Sequence, residues 1–254
     1  MNACMRVAKA GALLVLLASP HPADAQVVSP LSPALDSVRI ASVLHGAPMR
    51  TGSWKYGQWL IHPAGDSIAL GTRAVAVNAA VLAGSPVWQI AEERRGTMLE
   101  TADTVTLLQS DLSPQHWAAR IGTAQVGAAF THDSVFGAIE TYRGRSSFTA
   151  AIPPGIILSA AMLECLVEVL PLDRGYHITA SVLTVADAPR VMTADITVED
   201  EESVRVGAGV IAAWRVNVRT EDTLALLWIS RAEHRVVRKD ETIRGDHLVS
   251  AVLP

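Results

Sequence analysis

Apolar and polar positions alternate along much of this chain with a period of two. Ala124, Val126, Ala128 and Phe130 share one side of a run whose other side carries Gln125 and Thr131. Met192, Ala194, Ile196 and Val198 alternate with Thr193, Asp195 and Thr197. Val210, Ala212, Trp214, Val216 and Val218 alternate with Arg215, Asn217 and Arg219. Successive side chains of a strand point to opposite faces, so this alternation puts one face on an apolar interior and the other in water. Leu224–Ile229 is apolar at every position, which predicts a strand covered on both faces. Turn signals punctuate the runs at Gly84-Ser85-Pro86, Gly96, Ser113-Pro114, His132-Asp133-Ser134, Gly144, Asp187-Ala188-Pro189, Gly207 and Glu221-Asp222. Roughly ten to thirteen closely spaced strands follow, in an antiparallel sheet that curls or closes.

One segment departs from the period of two. Pro153-Pro154-Gly155 leads into Ile156–Leu170, where Ile156, Ala160, Leu163, Val167 and Leu170 recur at helical spacing before Pro171 stops the run. Glu164 and Glu168 fall on the other side of that helix. A helix inserted midway through a sheet protein must bury its apolar stripe, and the concave face of the sheet is the place for it. The fold class expected is therefore mostly β (α+β): a strongly curved antiparallel sheet, or incomplete β-barrel, enclosing one central helix. A single domain over 51–254 would hold it, with the helix at 156–170.

The N-terminal residues read differently. Arg6 and Lys9 precede the apolar run Ala10–Ala18, Pro20 and Pro22 break it, and Ala23-Asp24-Ala25 gives a small-x-small cleavage pattern. These mark 1–25 as a signal peptide cleaved near Ala25, and hence an exported protein, periplasmic or extracellular, soluble after cleavage. The run is far shorter than the ~20 residues needed to span a bilayer, and no later stretch is long and apolar enough to span. Cys4 lies before the apolar run rather than at the cleavage site, so the lipoprotein pattern fails, and Cys165 remains as the only mature cysteine. Without an internal disulfide, the domain must be held by its core. Pro30, Pro33 and Pro48 mark 26–50 as a linker with a short helix near Ala34–Leu44. A formal net charge of −4 argues against a nucleic-acid partner and against anchoring on anionic lipid. Half of the residues are hydrophobic and only 5% aromatic, a composition rich in Ala and Val that excludes disorder for most of the chain.

Familiar catalytic motifs are missing from the sequence: a Gly-x-Ser-x-Gly elbow, a His-Glu-x-x-His zinc helix, a phosphate loop, a dinucleotide glycine fingerprint and a calcium loop. No catalytic residue, metal ligand set or cofactor is assigned. His132 beside Asp133 reads as a solvated turn rather than an oriented base. Glu199-Asp200-Glu201-Glu202 lacks the glycine-bearing loop of a cation site and reads as a polar turn. Cys165 has acidic rather than basic neighbours, which disfavours a reactive thiol. Arg94-Arg95, after an acidic pair, reads as a strand end. Of the six tryptophans, Trp214 and Trp228 fall on apolar strand faces.

The C-terminal third carries an ordered set of features. Val204-Arg205-Val206-Gly207-Ala208-Gly209 precedes Ala213-Trp214-Arg215-Val216-Asn217-Val218, then Leu227-Trp228-Ile229-Ser230 and Arg235-Val236-Val237-Arg238. Leu170-Pro171-Leu172-Asp173-Arg174-Gly175-Tyr176 follows the helix, and Ser85-Pro86-Val87-Trp88 and Asp103-Thr104-Val105 lie upstream. In these features, over roughly residues 54–254, the chain resembles a group of uncharacterised exported bacterial domains of unknown function. That group is in turn similar to the periplasmic lipoprotein carriers and their outer-membrane receptors, the Lol-type half-barrel. The resemblance implies a curved sheet wrapped over a helical plug, with a concave apolar face that holds acyl chains in the carriers.

Three functions fit. The first is a non-catalytic binding module for an apolar ligand, a lipid or a lipoprotein acyl chain, in which the Ala/Val-rich interior leaves room for the chain. Its candidate residues are Phe130, Phe148, Ile156, Ala160, Leu163, Val167, Trp214 and Trp228. The second is a cell-envelope scaffold with a filled interior, working through its surface on an envelope protein. The third is an enzyme with an unrecognised site. An outer-membrane barrel is disfavoured by the scarce aromatics and the mid-chain helix.

Overall fold

The computed structural model describes residues 49–253, apart from 97–99, 154, 186–188, 208, 222 and 244–245. The signal peptide expected over 1–25 and the helix expected near 34–44 lie outside the described residues.

The alternating runs form strands β1 (Gly52–Ile61), β2 (Ser67–Leu82), β3 (Ser85–Gly96), β4 (Thr101–Leu108), β5 (Pro114–Ile121), β6 (Ala124–Phe130), β7 (Ser134–Thr141) and β8 (Gly144–Ala151). After the helix α1 (Ala160–Val167) come β9 (His177–Val185), β10 (Pro189–Val206), β11 (Gly209–Arg219), β12 (Leu224–Ser230), β13 (Val236–Ile243) and β14 (Asp246–Val252). Fourteen strands are one more than the upper end of the expected range. The weakest alternation is in β8, which is exposed on both faces for much of its length.

All fourteen strands belong to one curved, unclosed sheet in the order β8-β7-β6-β5-β4-β3-β2-β1-β14-β13-β12-β11-β10-β9. Consecutive strands pair antiparallel as simple hairpins. The non-sequential pairing is between β1 and β14, which aligns Tyr56 with Val252 and Ile61 with His247. The first and last strands therefore meet in the middle of the sheet, and the two edges, β8 and β9, are joined by the segment that carries the helix. The hairpins are tight. Ala83 and Gly84 both take positive φ (48° and 86°) between β2 and β3, the backbone of a two-residue turn whose twist matches that of the strands.

The helix is shorter than the periodicity over 156–170 suggests. Residues 156–158 are extended instead, because Ile157 forms a parallel bridge with Val182 of the β9 edge. Its N–H donates to the Ser181 carbonyl (2.8 Å), and its carbonyl accepts from the Leu183 N–H (2.8 Å). The segment thus covers part of an edge that would otherwise present unpaired backbone groups. Ser159 then caps the helix, its Oγ accepting from the Met162 N–H at 3.1 Å. The buried face is also not the expected stripe. Ala161, Met162, Cys165, Leu166 and Val167 are buried together with Glu164, whereas Ala160 and Leu163 are only partly buried.

The main core lies between the helix and the concave face, with Tyr56, Val75, Val77, Ile90, Val105, Leu107, Trp117, Ile178, Ala180, Ile196, Val216 and Leu227 among its members. A second, smaller cluster of Val204, Val206, Ala213, Trp228 and Val237 sits apart from it. Together they cover β12 on both faces: Ala225, Leu227 and Ile229 join the main core, and Trp228 and Leu226 the second.

Candidate functional site

Beneath the helix the concave surface is not uniformly apolar. Arg73 of β2 is 1% exposed yet shares the face of Val75 and Val77. Its Nη1 donates to Glu164 Oε2 of α1 and its Nη2 to Glu92 Oε2 of β3, both at 2.8 Å. Glu92 also accepts from Arg94 Nε. The other oxygen of the same carboxyl, Glu164 Oε1, pairs with Lys239 Nζ of β13 (3.1 Å), which also meets Glu241 Oε1 (2.8 Å). The result is a chain Arg94–Glu92–Arg73–Glu164–Lys239–Glu241, alternating in sign and neutral overall, that ties the helix to two separate parts of the sheet. Glu164, placed by helical periodicity on the side away from the apolar stripe, is instead its central link. An ionised carboxylate this deep is tolerated because cations meet both of its oxygens.

The electrostatics follow from this packing. Burial alone would push the Glu92 carboxyl up, but Arg73 and Arg94 outweigh it and hold it well below the ordinary carboxylate range. Burial likewise opposes the charge of Arg73, and Glu164 and Glu92 overcome it. Two carboxyls at the ends of the helix behave in the opposite way. Burial raises Asp103 to about 7, against the pull of the Trp117 Nε1–H that donates to it at 2.9 Å. Burial raises Glu168 to about 7, although its Oε1 accepts the Val236 N–H at 2.7 Å. Burial and the charges of Glu168 and Glu164 push the Cys165 thiol far up, the reverse of what a nucleophile needs.

Of the eight residues proposed from sequence as an apolar site, six belong to the main core or pack against it. Ile156 and Val167 are fully packed in the main core, and Phe130, Phe148, Leu163 and Trp214 are partly buried against it. Ala160 is partly buried at the first turn of the helix. Phe148 lies over Gly137, where a Cβ would come within 2.3 Å of its ring, so its space is already filled. Trp228 faces the other way. Leu227 and Ile229 take the concave face, so strand parity turns Trp228 outward, where Arg238 lies 4.8 Å over its ring and Glu202 accepts from its Nε1.

Other polar candidates resolve locally. The acidic run 199–202 is not a turn but a bulge within β10, between Val198 and Glu201. Each acid has a basic partner: Glu199 and Glu202 meet Arg215, Asp200 meets Arg174 and Glu201 meets Arg231. Asp133 accepts from the Thr131 and Ser134 hydroxyls in an exposed turn, and no hydrogen bond joins it to His132. Among the described residues no group of three or more His, Cys, Asp or Glu side chains could hold a metal ion. No helix among them is long and apolar enough to cross a membrane.

Open space lies on the outer face of β5–β8, a site missed by sequence reasoning that searched only for interior positions. There the registers stack three rows across four strands. His116, Ala129, Phe136 and Thr149 form one, Ala118, Gly127, Ala138 and Ser147 the next, and Arg120, Gln125, Glu140 and Arg145 the third. The middle row is uniformly small and, apart from Ala129, its flanks carry larger side chains, so the surface sinks into an open groove of about 580 Å³. Crossing three strand spacings gives it a length of about 14 Å. A Cβ added at Gly127 would meet nothing within 4 Å, which puts the free volume directly above that residue. Phe136 stands 48% exposed on one side of the groove, and Arg145 and Ser147 close the end at the free edge of β8. The signal was legible in part: Ala118, Gly127 and Ala138 occupy outward positions where solvated strands ordinarily carry larger polar residues.

Comparison with known proteins bears on fold and family. The family described as "Protein of unknown function (DUF3108)" matches residues 57–246. Among solved structures, a β-barrel-like protein of domain of unknown function DUF1849 from Brucella abortus superposes with a TM-score of 0.55 at 9% identity, covering 81% of this chain and 98% of its own. The hypothetical lipoprotein YmcC from Escherichia coli aligns with a TM-score of 0.32 at 10% identity, over 88% of this chain and 98% of its own. An exported protein with a YmcC-like fold from Bacteroides fragilis aligns with a TM-score of 0.32 at 7% identity, over 81% and 95%. No curated protein matches the sequence. The β-barrel-like fold is thus shared with a structurally characterised protein at a sequence distance where only the fold is comparable.

Proposed function

Because the chain belongs to the DUF3108 family, whose description states no function, and carries an open groove on a β-barrel-like sheet, we propose that it is an exported, non-catalytic binding protein for an apolar chain. The groove on the outer face of β5–β8 is the binding site in this reading. The observation that carries it is the free volume of about 580 Å³ over a floor of Ala118, Gly127 and Ala138. A fully buried CH₂ gains about 0.8 kcal/mol, and a chain lying in an open trough about 14 Å long gains the share of it that its buried side provides. Export rests on the signal-like segment 1–25. The concave face is a poorer site, because α1 fills it and the Arg73–Glu164–Lys239 links hold the helix in place.

Native mass spectrometry of protein purified from a membrane-containing lysate tests this. The expected result is a population carrying a copurifying apolar adduct that disappears in Gly127→Phe, whose new ring occupies the groove. Only apo protein, together with no binding of a fluorescent fatty acid, would refute the proposal. The packed interior favours a second reading, an envelope scaffold that works through its surface, and that result would leave it standing.

A further inference from the structure

We propose that the groove's occupant is a single-chain anionic amphiphile, a long-chain carboxylate, lying across the strands with its head at the β8 edge. This rests on the groove being the binding site and adds the ligand's charge and direction. Among the charged residues of the third row, Arg145 contributes to the lining, whereas Arg120 and Glu140 do not. Glu140 is directly opposite Arg145 in the β7–β8 register, yet no ion pair within 4 Å joins them. Arg145 therefore has its guanidinium free of a contacting carboxylate at one end of a trough with a small-residue floor, with the Ser147 hydroxyl beside it as a further donor. A guanidinium presents paired N–H donors that match the two oxygens of a carboxylate. From that end the floor runs through Ala138 and Gly127 to Ala118, uninterrupted by charge, as an alkyl tail requires. His116 of β5 stands at the far end, and Phe136 of β7 stands beside the trough next to the head end, both on the same flanking row. The floor is a single residue row wide between its two flanking rows, which suits one extended chain rather than two side by side.

Isothermal titration of the purified protein with dodecanoate, dodecanol and dodecylammonium, below their aggregation limits, separates charge from tail. Dodecanoate is expected to bind about tenfold more tightly than dodecanol, and dodecylammonium more weakly still, as a single charge contact at a partly exposed site allows. Arg145→Glu is expected to abolish or reverse that order. Gly127→Phe, and independently Ala118→Leu, should weaken all three ligands, with circular dichroism confirming the fold. Equal affinity for the three ligands, or an order unaffected by Arg145→Glu, overturns the assignment of the head group and leaves the apolar groove intact. No binding of any ligand to the wild-type protein, or undiminished binding to both groove-filling variants, overturns the binding site itself. Binding to anionic vesicles without binding of monomeric dodecanoate also overturns the proposal, because the surface would then recognise a membrane.

Discussion

At the scale of single residues, the fold depends on charges set where alternation calls for apolar side chains. Arg73 is in phase with Val75 and Val77, and Glu92 and Arg94 are in phase with Ile90. Each alone would be a costly buried ion. Joined through Glu164 they become a neutral chain, and the cost of breaking it depends on which link is removed. Arg73→Met leaves Glu92 with Arg94 and Glu164 with Lys239, one positive charge short, and is expected to destabilise by about 3–5 kcal/mol. Glu164→Gln leaves Arg73 and Lys239 to share Glu92 and Glu241 and is expected to cost a similar amount. The double variant leaves two closed pairs, Arg94–Glu92 and Lys239–Glu241. Its loss should therefore fall short of the sum by at least about 1 kcal/mol in a urea-denaturation cycle. Strict additivity would mean that the two side chains do not share a buried contact. The in-phase charges were legible in the sequence as exceptions to the pattern. What was not legible is that they meet one another, because the partners come from β2, β3, α1 and β13.

The elements show why the helix was found but misplaced. Periodicity over Ile156–Leu170 identifies a helical segment correctly, but it assumes one wet face. Here the sheet and the chain following α1 surround the helix, so apolar spacing no longer marks a single side. Pairing of Ile157 with β9 also takes its first turn as strand, a tertiary competitor that no local rule contains. The strands were easier, because those between the core and water keep a clean period of two, as in Met192–Val198 of β10. The closed ends of the helix make its stability depend on pH. Asp103, near Ser159, and Glu168, at the C-cap, both hold a proton more readily in the folded protein, rising from 3.8 and 4.5 to about 7. A raised carboxyl contributes stability that is complete below its ordinary value and is lost as pH climbs through 7. Glu92 and Glu241 are lowered and act in the opposite sense, losing their contribution as pH falls below the ordinary carboxylate range. Stability is expected to peak near pH 5, with a melting temperature several degrees lower at pH 8. In Asp103→Asn/Glu168→Gln the fall between those values should shrink, while the acid limb keeps its slope. His62, raised chiefly by its hydrogen bond to Asp246, titrates in both proteins and cancels from the comparison. An unchanged alkaline slope in the double variant would show that neither carboxyl is protonated in the folded state.

At the scale of the whole molecule, the curved sheet was foreseeable and its strand order was not. Alternation tells each strand which face is buried and the turns tell it to pair with its neighbour. Nothing local encodes the pairing of β1 with β14, whose partners are nearly two hundred residues apart in numbering, Tyr56 with Val252. That pairing makes the first and last strands among the described residues the middle of a single sheet with arms β2–β8 and β13–β9 on either side. The ion chain repeats the connection, running from β3 on one arm through the helix to β13 on the other. The two arms are unequal at their ends. On one, β9 is partly covered by residues 156–158, and Ile178, Ala180, Leu183 and Val185 are buried. On the other, no residue of β8 is fully buried, and its outer edge has no strand partner. Local opening takes the least free energy where few apolar contacts are broken, so protection from hydrogen exchange should be graded along the sheet. Backbone amides of β1, β13 and β14 are expected to exchange last, at rates set by global unfolding, and those of β7 and β8 first. The β9 amides should lie between, with the Leu183 N–H, which donates to Ile157, slower than its edge position implies. The order matters for binding as well as for folding, because the groove proposed for ligand lies on the loosest arm. A bound chain crossing β5 to β8 would pin four strands together, so dodecanoate should slow exchange in β7 and β8 while leaving β1 and β14 unchanged. Uniform protection across all fourteen strands would mean that the arm does not open independently, and ligand would then have no local motion to suppress.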